Sequence, residues 1–447
     1  MLFHRNRQRF FMNKIQLIDI LTGKNVWPLY KLYSETQWYS KSQMRAFQLE
    51  KLKKLLLHCK ENIPYYQDII ERNKINIESI QSFDVLHLFP ILTKEILKDN
   101  YKEFIPKNIK SIKGVKTSQT GGTTGNILLK RTDSNVRSST WATYTRFHDW
   151  IGINSKSKVL SLMGGHIIKH NKIHQIKISI DNYLNNIISH DPYDKSDKNI
   201  ERIIKTLNNN KFDLIRAYSQ SLFFLANVFK SRGLKFDIPA ITTTAEPLMH
   251  EHRILFEEIF GAQSFDQYGC GEIGGIAYEC DHHQGLHVAE ERVIIEVKDR
   301  HDLIITDLDN YAMPFIRYWN ADQAVFTQKT CTCGRESMMV EKIMGRTCDY
   351  MSCSDGKQLH WAFFWHLLFD TKIAINRNMK KFQVLQKSQN EIDFRIVSDQ
   401  LSEEDKITIS HHLKIKMGPD LKIKFIQEDD IENAISGKFR PVINNTI

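Results

Sequence analysis

From Lys41 to Asn62 apolar residues recur at helical spacing (Met44, Phe47, Leu49, Leu52, Leu55, Leu56) with lysines between them, a pattern that predicts a helix. Pro64 cannot continue it. In PILTKEILKDNYKEFI a second helix is expected to start near Thr93, whose hydroxyl is placed to cap it. VKTSQT then reads as a strand running into a turn. Between 131 and 345 the runs KVLSLMGG, FDLIRAYS, AITTTAE, SFDQYGCGE, VIIEV and LIITDL alternate with helical periods at SLFFLANVFKSRG and 251–260. That alternation implies an α/β architecture, a sheet with helices on its faces. Ligands on such sheets bind at the strand carboxyl ends, where the loops TSQTGGTTG, TTTAEPL and DQYGCGE would converge. After Gly345 a shorter piece carries strand-like FQVLQ, IDFRIV and LKIKFI and a helical EEDKITISHHLKIKM, a compact α+β module by size and pattern. The expected organisation is a large multi-sheet N-terminal domain over residues 1–345 and a small α+β C-terminal domain over 346–447.

Composition adds little to this picture and charge adds something. At 41% hydrophobic and 26% charged residues the chain is ordinary for a soluble globular protein, with no apolar run of membrane-spanning length and no apolar region behind the basic N-terminus. A cytoplasmic location is expected, with Met1 or Met12 as the start. The net charge is +10, yet residues 1–60 hold twelve Lys/Arg against three Asp/Glu, so the basicity is local. This segment also contains Trp27, Tyr30, Tyr33, Trp38 and Tyr39. It reads first as a solvated helix face and second as a peripheral contact with the inner face of an anionic membrane. No nucleic-acid partner is expected.

Thr117 to Leu129, TSQTGGTTGNILL, has the make-up of a phosphate-binding loop. Gly121, Gly122 and Gly125 let the backbone approach an anion, and Thr117, Ser118, Thr120, Thr123 and Thr124 supply hydroxyls. Asn126 follows the last glycine where a Walker A loop needs Lys-Ser or Lys-Thr, which excludes that motif. A loop of this kind alone is more often a surface turn.

The motifs that follow change its weight. TTTAEPL (242–248), DQYGCGEIGG (266–275), TDLDNYAMPFIRYWNADQAVF (306–326), IMGRTCDYM (343–351) and SGKFR (436–440) succeed the glycine loop in that order. Together they resemble the core motifs of the adenylate-forming (acyl-CoA synthetase) superfamily, in its phenylacetate-CoA ligase branch with its capsular-polysaccharide-biosynthesis members. IPYYQDII and FPILTKEIL are similar to the entry segment of that branch, so the resemblance covers nearly the whole chain.

The resemblance implies an adenylation domain followed by a mobile lid domain, with the active site in the cleft between them. It implies an AMP-forming acid ligase: a carboxylate attacks the α-phosphate of ATP, pyrophosphate leaves, and the acyl adenylate is captured by CoA or by another acceptor, an amino sugar or carrier thiol. Thr120, Gly121, Gly122, Thr123, Thr124 and Gly125 would grip the β- and γ-phosphates. Ala245, Glu246 and Pro247 would border the nucleotide. Tyr268, with Gly269 beside it, would offer a face for adenine, and Glu272 an oxygen for Mg²⁺. Asp322 would hold the ribose hydroxyls and Arg346 would sit at the domain junction near ribose and phosphate, with Asp349 as hinge. Lys438 would be the mobile lysine brought to the α-phosphate. Trp141, Tyr144, Phe147, His166, Tyr218 and Phe223 are candidates for the acid pocket.

Departures from the family pattern keep a second reading open. Ile127 and Leu128 stand where many relatives have Pro-Lys, which leaves Lys130 as the nearest loop lysine. Gly271 replaces a threonine, and Asn320-Ala321-Asp322 replaces Thr-Gly-Asp. The alternative is a catalytically degenerate nucleotide-binding or membrane-associated accessory protein of a polysaccharide pathway.

The seven cysteines are unevenly placed, six of them between 270 and 353, which argues against a disulfide framework. Cys280, His287, Cys331 and Cys333 form a three-thiolate, one-imidazole set suited to structural Zn²⁺, with Cys270, His282 and His283 as competing ligands.

Overall fold

The computed structural model describes residues 16, 19, 24–119, 128–163, 182, 185–192, 194, 196–298, 301–346, 350–361, 363–364, 367–368, 371–377, 379, 381–432 and 441–445. These divide into two compact units, the larger running to Ile343 without Ala321–Gln323 and the smaller consisting mainly of Met344–Ile447.

The larger unit opens with α1 (Val26–Thr36) and α2 (Lys41–Asn62). Ser40 caps α2 by accepting from the backbone N–H of Gln43, whose side chain accepts in turn from Ser40 N. Ile63 is extended before Pro64, as proline demands of its predecessor, and α3 (Pro64–Arg72) starts on that proline. α4 (Lys94–Asp99) is capped by Thr93, whose Oγ1 accepts from Ile96 N at 3.3 Å. The predicted capping threonine is therefore the observed one. A two-stranded antiparallel ribbon, β1 (Lys116–Gln119) with β2 (Leu129–Thr132), flanks the glycine-loop segment.

α5 (Ser134–Trp150) is capped by Asp133, whose carboxylate accepts from Val136 N on one oxygen and from Tyr311 N and Ala312 N on the other. The chain then lays down β3 (Val159–Leu162), β4 (Ile187–Ser189), α6 (Asp197–Asn208), β5 (Leu214–Tyr218), α7 (Ser219–Ser231), β6 (Ala240–Thr244), α8 (His250–Phe260) and β7 (Gln263–Cys270). β4, β3, β5, β6 and β7 pair in parallel in that order. Their runs VLSL and AITTT are almost wholly buried, as expected of strands covered on both faces. β8 (Gly274–Glu279) turns back antiparallel on β7, and β9 (Leu286–Val288), β10 (Val293–Lys298), β11 (Asp302–Asp307), β12 (Tyr318–Thr327) and β13 (Met339–Arg346) extend the sheet. Among the described residues this sheet has eleven strands in the order β10-β11-β12-β13-β9-β8-β7-β6-β5-β3-β4.

The N-terminal aromatics have a different role from the one their charge suggested. Trp27, Tyr30 and Tyr33 are buried in α1, which packs on α5 through Ala142, and Tyr30 Oη donates to Asp149. Burial removes these three rings from any membrane surface, whereas Trp38 remains 54% exposed. Among the described residues no helix is long and apolar enough to cross a membrane.

The smaller unit is α+β. β14 (Tyr350–Ser352) pairs with β15 (Gln358–His360), and α9 (Ile373–Asn376) precedes a sheet ordered β18-β17-β16-β19. Its strands are β16 (Lys381–Ser388), β17 (Glu391–Val397), β18 (Lys422–Gln427) and β19 (Val442–Asn444), with α10 (Glu403–Met417) between β17 and β18. Phe364, Phe382, Phe394, Ile409 and Leu413 form its own core.

Candidate active site and metal centre

The β7–β8 hairpin carries Tyr268 and Glu272. A bulge falls between Tyr268 and Gly269, and a Cβ on Gly269 would run into the carbonyl of Gly274, so the hairpin closes this tightly only with glycine there. Tyr268 is 9% exposed and its Oη accepts from Asn320 Nδ2 at 2.7 Å, which ties β7 to β12. Asp322 lies two residues further along β12 and is buried. Between them Ala321 has φ +64°, the left-handed conformation that glycine adopts freely and alanine does not.

Glu272 is 4% exposed, and its Oε1 lies 3.2 Å from Lys94 Nζ at the start of α4. Lys130, on β2, donates to the carbonyls of Gly271 and Glu272. Arg292 grips the same turn from the other side: its Nη2 donates to Ile273 O at 3.2 Å, its Nη1 to Gly275 O at 2.6 Å and its Nε to Ser139 Oγ at 2.9 Å. Burial pulls the Lys130 ammonium below the usual lysine range. Arg292 is fully buried, but Asp307 and Asp309 outweigh that penalty and raise it. The result is a carboxylate on a short turn whose carbonyls are held by two cations and whose charge is met by a third.

At the carboxyl end of β6, Ala245 also takes a positive φ, +69°, and Glu246 Oε2 accepts from Gln220 N at 2.9 Å in the first turn of α7. Pro247 follows in the same loop. On the opposite strand face Thr243 Oγ1 donates to Asp266 Oδ1, and Asp266 is raised to about 7 by burial and then by the charge of Glu279. Arg346 is the last residue of β13. Thr120, Gly121, Gly122, Thr123, Thr124, Gly125, Asp349, His166 and Lys438 lie outside the described residues. Of the acid-pocket candidates, Phe147 is a core residue at 0% exposure, whereas Trp141 is 47% exposed.

Lys94 and Arg292 were not found by sequence reasoning. Lys94 stands directly after the capping threonine in LTKE, where the pattern announces a helix start and nothing announces the ammonium. Arg292, within AEERVII, has the local look of a surface charge, and only the fold reveals its burial.

The fold brings together thiols that are far apart in the chain, Cys280 and Cys331 being 51 residues apart. Cys280, His287, Cys331 and Cys333 place their ligand atoms within 4.8 Å of one another. Cys280 Sγ and Cys331 Sγ are 3.7 Å apart, and Cys333 Sγ is 3.4 Å from His287 Nε2. Zinc–sulfur bonds of about 2.3 Å set a tetrahedral edge of about 3.8 Å, so the set has the right size for Zn²⁺. His287 Nδ1 is 2.9 Å from Ser337 Oγ, which directs Nε2 inward, the usual outer contact of a ligating histidine. Burial pushes His287 down to about 4, keeping the imidazole neutral. The competing ligands are engaged elsewhere: His282 Nδ1 with Thr332 Oγ1, His283 Nδ1 with Glu279, and Cys270 in the main core.

Residues 366–445 match the family model of the CapK C-terminal domain. The chain is 23% identical to a phenylacetate-coenzyme A ligase of Thermus thermophilus over 92% of its length and 98% of that protein's. It is likewise 23% identical to Protein CapK of Staphylococcus aureus, over 87% of this chain and 86% of that one. Among solved structures, 2-hydroxyisobutyryl-CoA ligase in the postadenylation state superposes with a TM-score of 0.70 at 14% identity, covering 92% of each chain. The fold and these matches agree on one class: over nearly its whole length the chain is similar to adenylate-forming acid ligases. Among these its curated relatives include phenylacetate-CoA ligases and CapK, and its C-terminal region matches the CapK C-terminal domain.

Proposed function

We propose that this protein uses ATP to convert a small carboxylic acid into an acyl adenylate, releasing pyrophosphate, and then transfers the acyl group to CoA. The observation that carries the reading is Glu272: a buried carboxylate on a turn gripped by Lys130 and Arg292, beside Tyr268 and facing Lys94. Such an arrangement suits the polyphosphate of a nucleotide, where anionic oxygens need cations on one side and a carboxylate-held divalent ion on the other. In this reading Tyr268 and Gly269 border adenine, Ala245, Glu246 and Pro247 line the nucleotide edge, Asp322 accepts from ribose hydroxyls, and Arg346 approaches ribose and phosphate. Thr120 to Gly125 grip the terminal phosphates and Lys438 meets the α-phosphate. Glu272 would hold Mg²⁺, which when bound neutralises charge on the leaving pyrophosphate. The hydroxyisobutyryl-CoA ligase has been solved with its acyl-AMP and CoA together, which supports CoA as acceptor here. A tie to surface polysaccharide assembly has only the branch resemblance behind it. Cys280, His287, Cys331 and Cys333 would hold a structural Zn²⁺ away from the chemistry.

ATP–pyrophosphate exchange over a panel of carboxylic acids tests the reading. Acid-dependent exchange is expected, falling roughly 100-fold or more in Glu272→Gln with the fold retained. Tight ATP binding without exchange for any acid would instead favour the degenerate nucleotide-binding protein.

A further inference from the structure

One face of the parallel sheet, the face covered by α5, holds a row of buried polar atoms that no described residue satisfies. On α5, Tyr144 Oη and His148 Nε2 are buried without a hydrogen-bond partner. On the strands beneath, the same is true of Arg216 Nε on β5, Thr242 Oγ1 on β6 and Gln267 Oε1 on β7. Register puts them side by side, since Arg216 pairs with Thr242 and Thr242 with Phe265, and Gln267 follows Phe265 by one strand repeat on the same face. Arg216 Cζ lies 4.8 Å from the centroid of the Tyr144 ring, and the rings of Tyr144 and His148 are 4.4 Å apart. Among the described residues no carboxylate pairs with Arg216 and no group hydrogen-bonds it.

Buried polar groups are ordinarily paired, and a guanidinium on an inner strand of a parallel sheet ordinarily has a carboxylate. Here a cation, a phenol, a neutral imidazole, a hydroxyl and an amide converge with none. The imidazole is neutral because burial, and next the charge of Arg216, push it down to about 3. This collection offers one positive charge and several donors to an acceptor-rich anion, and no acidic group to repel it. Arg216 stands two residues from the last residue of β5, at the end of the sheet where β6 leads into Ala245–Pro247. That is the end where the reacting carboxylate is to be activated.

We propose that Arg216, with Tyr144 and His148, binds a second anionic group on the acid substrate, so that the preferred substrate is a dicarboxylate or an acid bearing a comparable anionic terminus. This specificity rests on the adenylating reading and adds to it the class of acid. The guanidinium would meet the distal carboxylate in charge-assisted hydrogen bonds, with the Tyr144 hydroxyl donating alongside, while the proximal carboxylate remains free to react.

The experiment uses the full-length protein with glutarate and succinate set against pentanoate and butyrate. Binding is followed by calorimetry without nucleotide, and turnover by ATP–pyrophosphate exchange. The dicarboxylates are expected to bind and exchange best. Arg216→Met should raise their KM roughly 10- to 100-fold, the effect of losing a charge-assisted pair, while KM for ATP stays unchanged. Arg216→Lys should recover part of the loss, and Tyr144→Phe, which removes only a hydroxyl from a ring left in place, should shift the same preference more weakly. Exchange that ranks mono- and dicarboxylates alike, before and after Arg216→Met, overturns the anion subsite and leaves the adenylating reading standing. Dicarboxylate binding that vanishes in Arg216→Met, without exchange for any acid, keeps the subsite and overturns adenylation. No binding and no exchange overturns both.

Discussion

Two buried polar regions of the larger unit each touch α5, one at Trp150 and one at Tyr144 and His148, and differ in one respect. Around Cys280, His287, Cys331 and Cys333 every inward-pointing atom faces another at ligand-cage distance, and even the outward nitrogen of His287 is engaged by Ser337. Along the Tyr144–His148–Arg216 face the buried atoms meet no hydrogen-bond partner among the described residues. Both are costly to bury. The first region has the geometry to hold a small ion, and in the reading proposed above the second is a surface left open for something that comes and goes. On these two proposals, completeness of the protein's own partners would separate a structural centre from a binding face.

The largest effect is expected where the cage is broken. Cys280→Ser and Cys331→Ser should each take zinc from about one per chain to near zero and destabilise the larger unit by more than ~4 kcal/mol, because loss of a metal leaves buried thiols that pack but do not bond. Metal analysis of protein purified without a histidine tag, followed by urea unfolding, checks this. A wild-type chain with well under one zinc would erase the contrast between the two regions.

The two regions also differ in how far the sequence disclosed them. Cysteine and histidine are rare enough that four of them at short spacings propose their own cage, and the fold had only to exclude His282, His283 and Cys270. The capped helices were likewise legible, since Thr93 and Ser40 act on residues three positions away. Tyr144 and Phe147 were readable as aromatic candidates, but which of them is core depends on the rotation of α5 against the sheet. Arg216 looks like any charged residue in FDLIRAYS. Its isolation is a property of strands more than twenty residues away, and local pattern does not hold that information. The same holds for Arg292 and Lys130, whose acceptors are backbone carbonyls of a turn, which no residue type announces.

A middle-sized effect should come from acidifying the open face. Burial, with the charge of Arg216 from β5 second, holds His148 at about 3, below the ordinary histidine value of about 6.5. The unfolded chain therefore takes up a proton in a range where the folded chain refuses it, and stability is lost as pH falls from about 6.5 towards 3. Between pH 7 and pH 5 the wild type should lose about 2 kcal/mol more than His148→Phe, read from urea midpoints at the two pH values. Parallel pH profiles for the two proteins would show that a partner answers His148, and the face would then resemble the cage.

The smallest effect extends the comparison from side chains to backbone. Ala321 stands at φ +64° between Asn320, which holds Tyr268, and Asp322. An L-residue in that conformation costs roughly 1–2 kcal/mol relative to glycine. Against this, glycine loosens the unfolded chain by about 0.4–1 kcal/mol. The first figure exceeds the second, so Ala321→Gly should stabilise the fold, by up to about 1 kcal/mol, and urea unfolding at constant m-value measures it. If the strain serves to aim Asp322, the same variant should raise KM for ATP while the fold gains stability, an opposition that simple relief of strain does not produce. A fall in stability would mean that the Ala321 methyl makes packing contacts worth more than the strain, and the backbone here would belong with the well-answered cage.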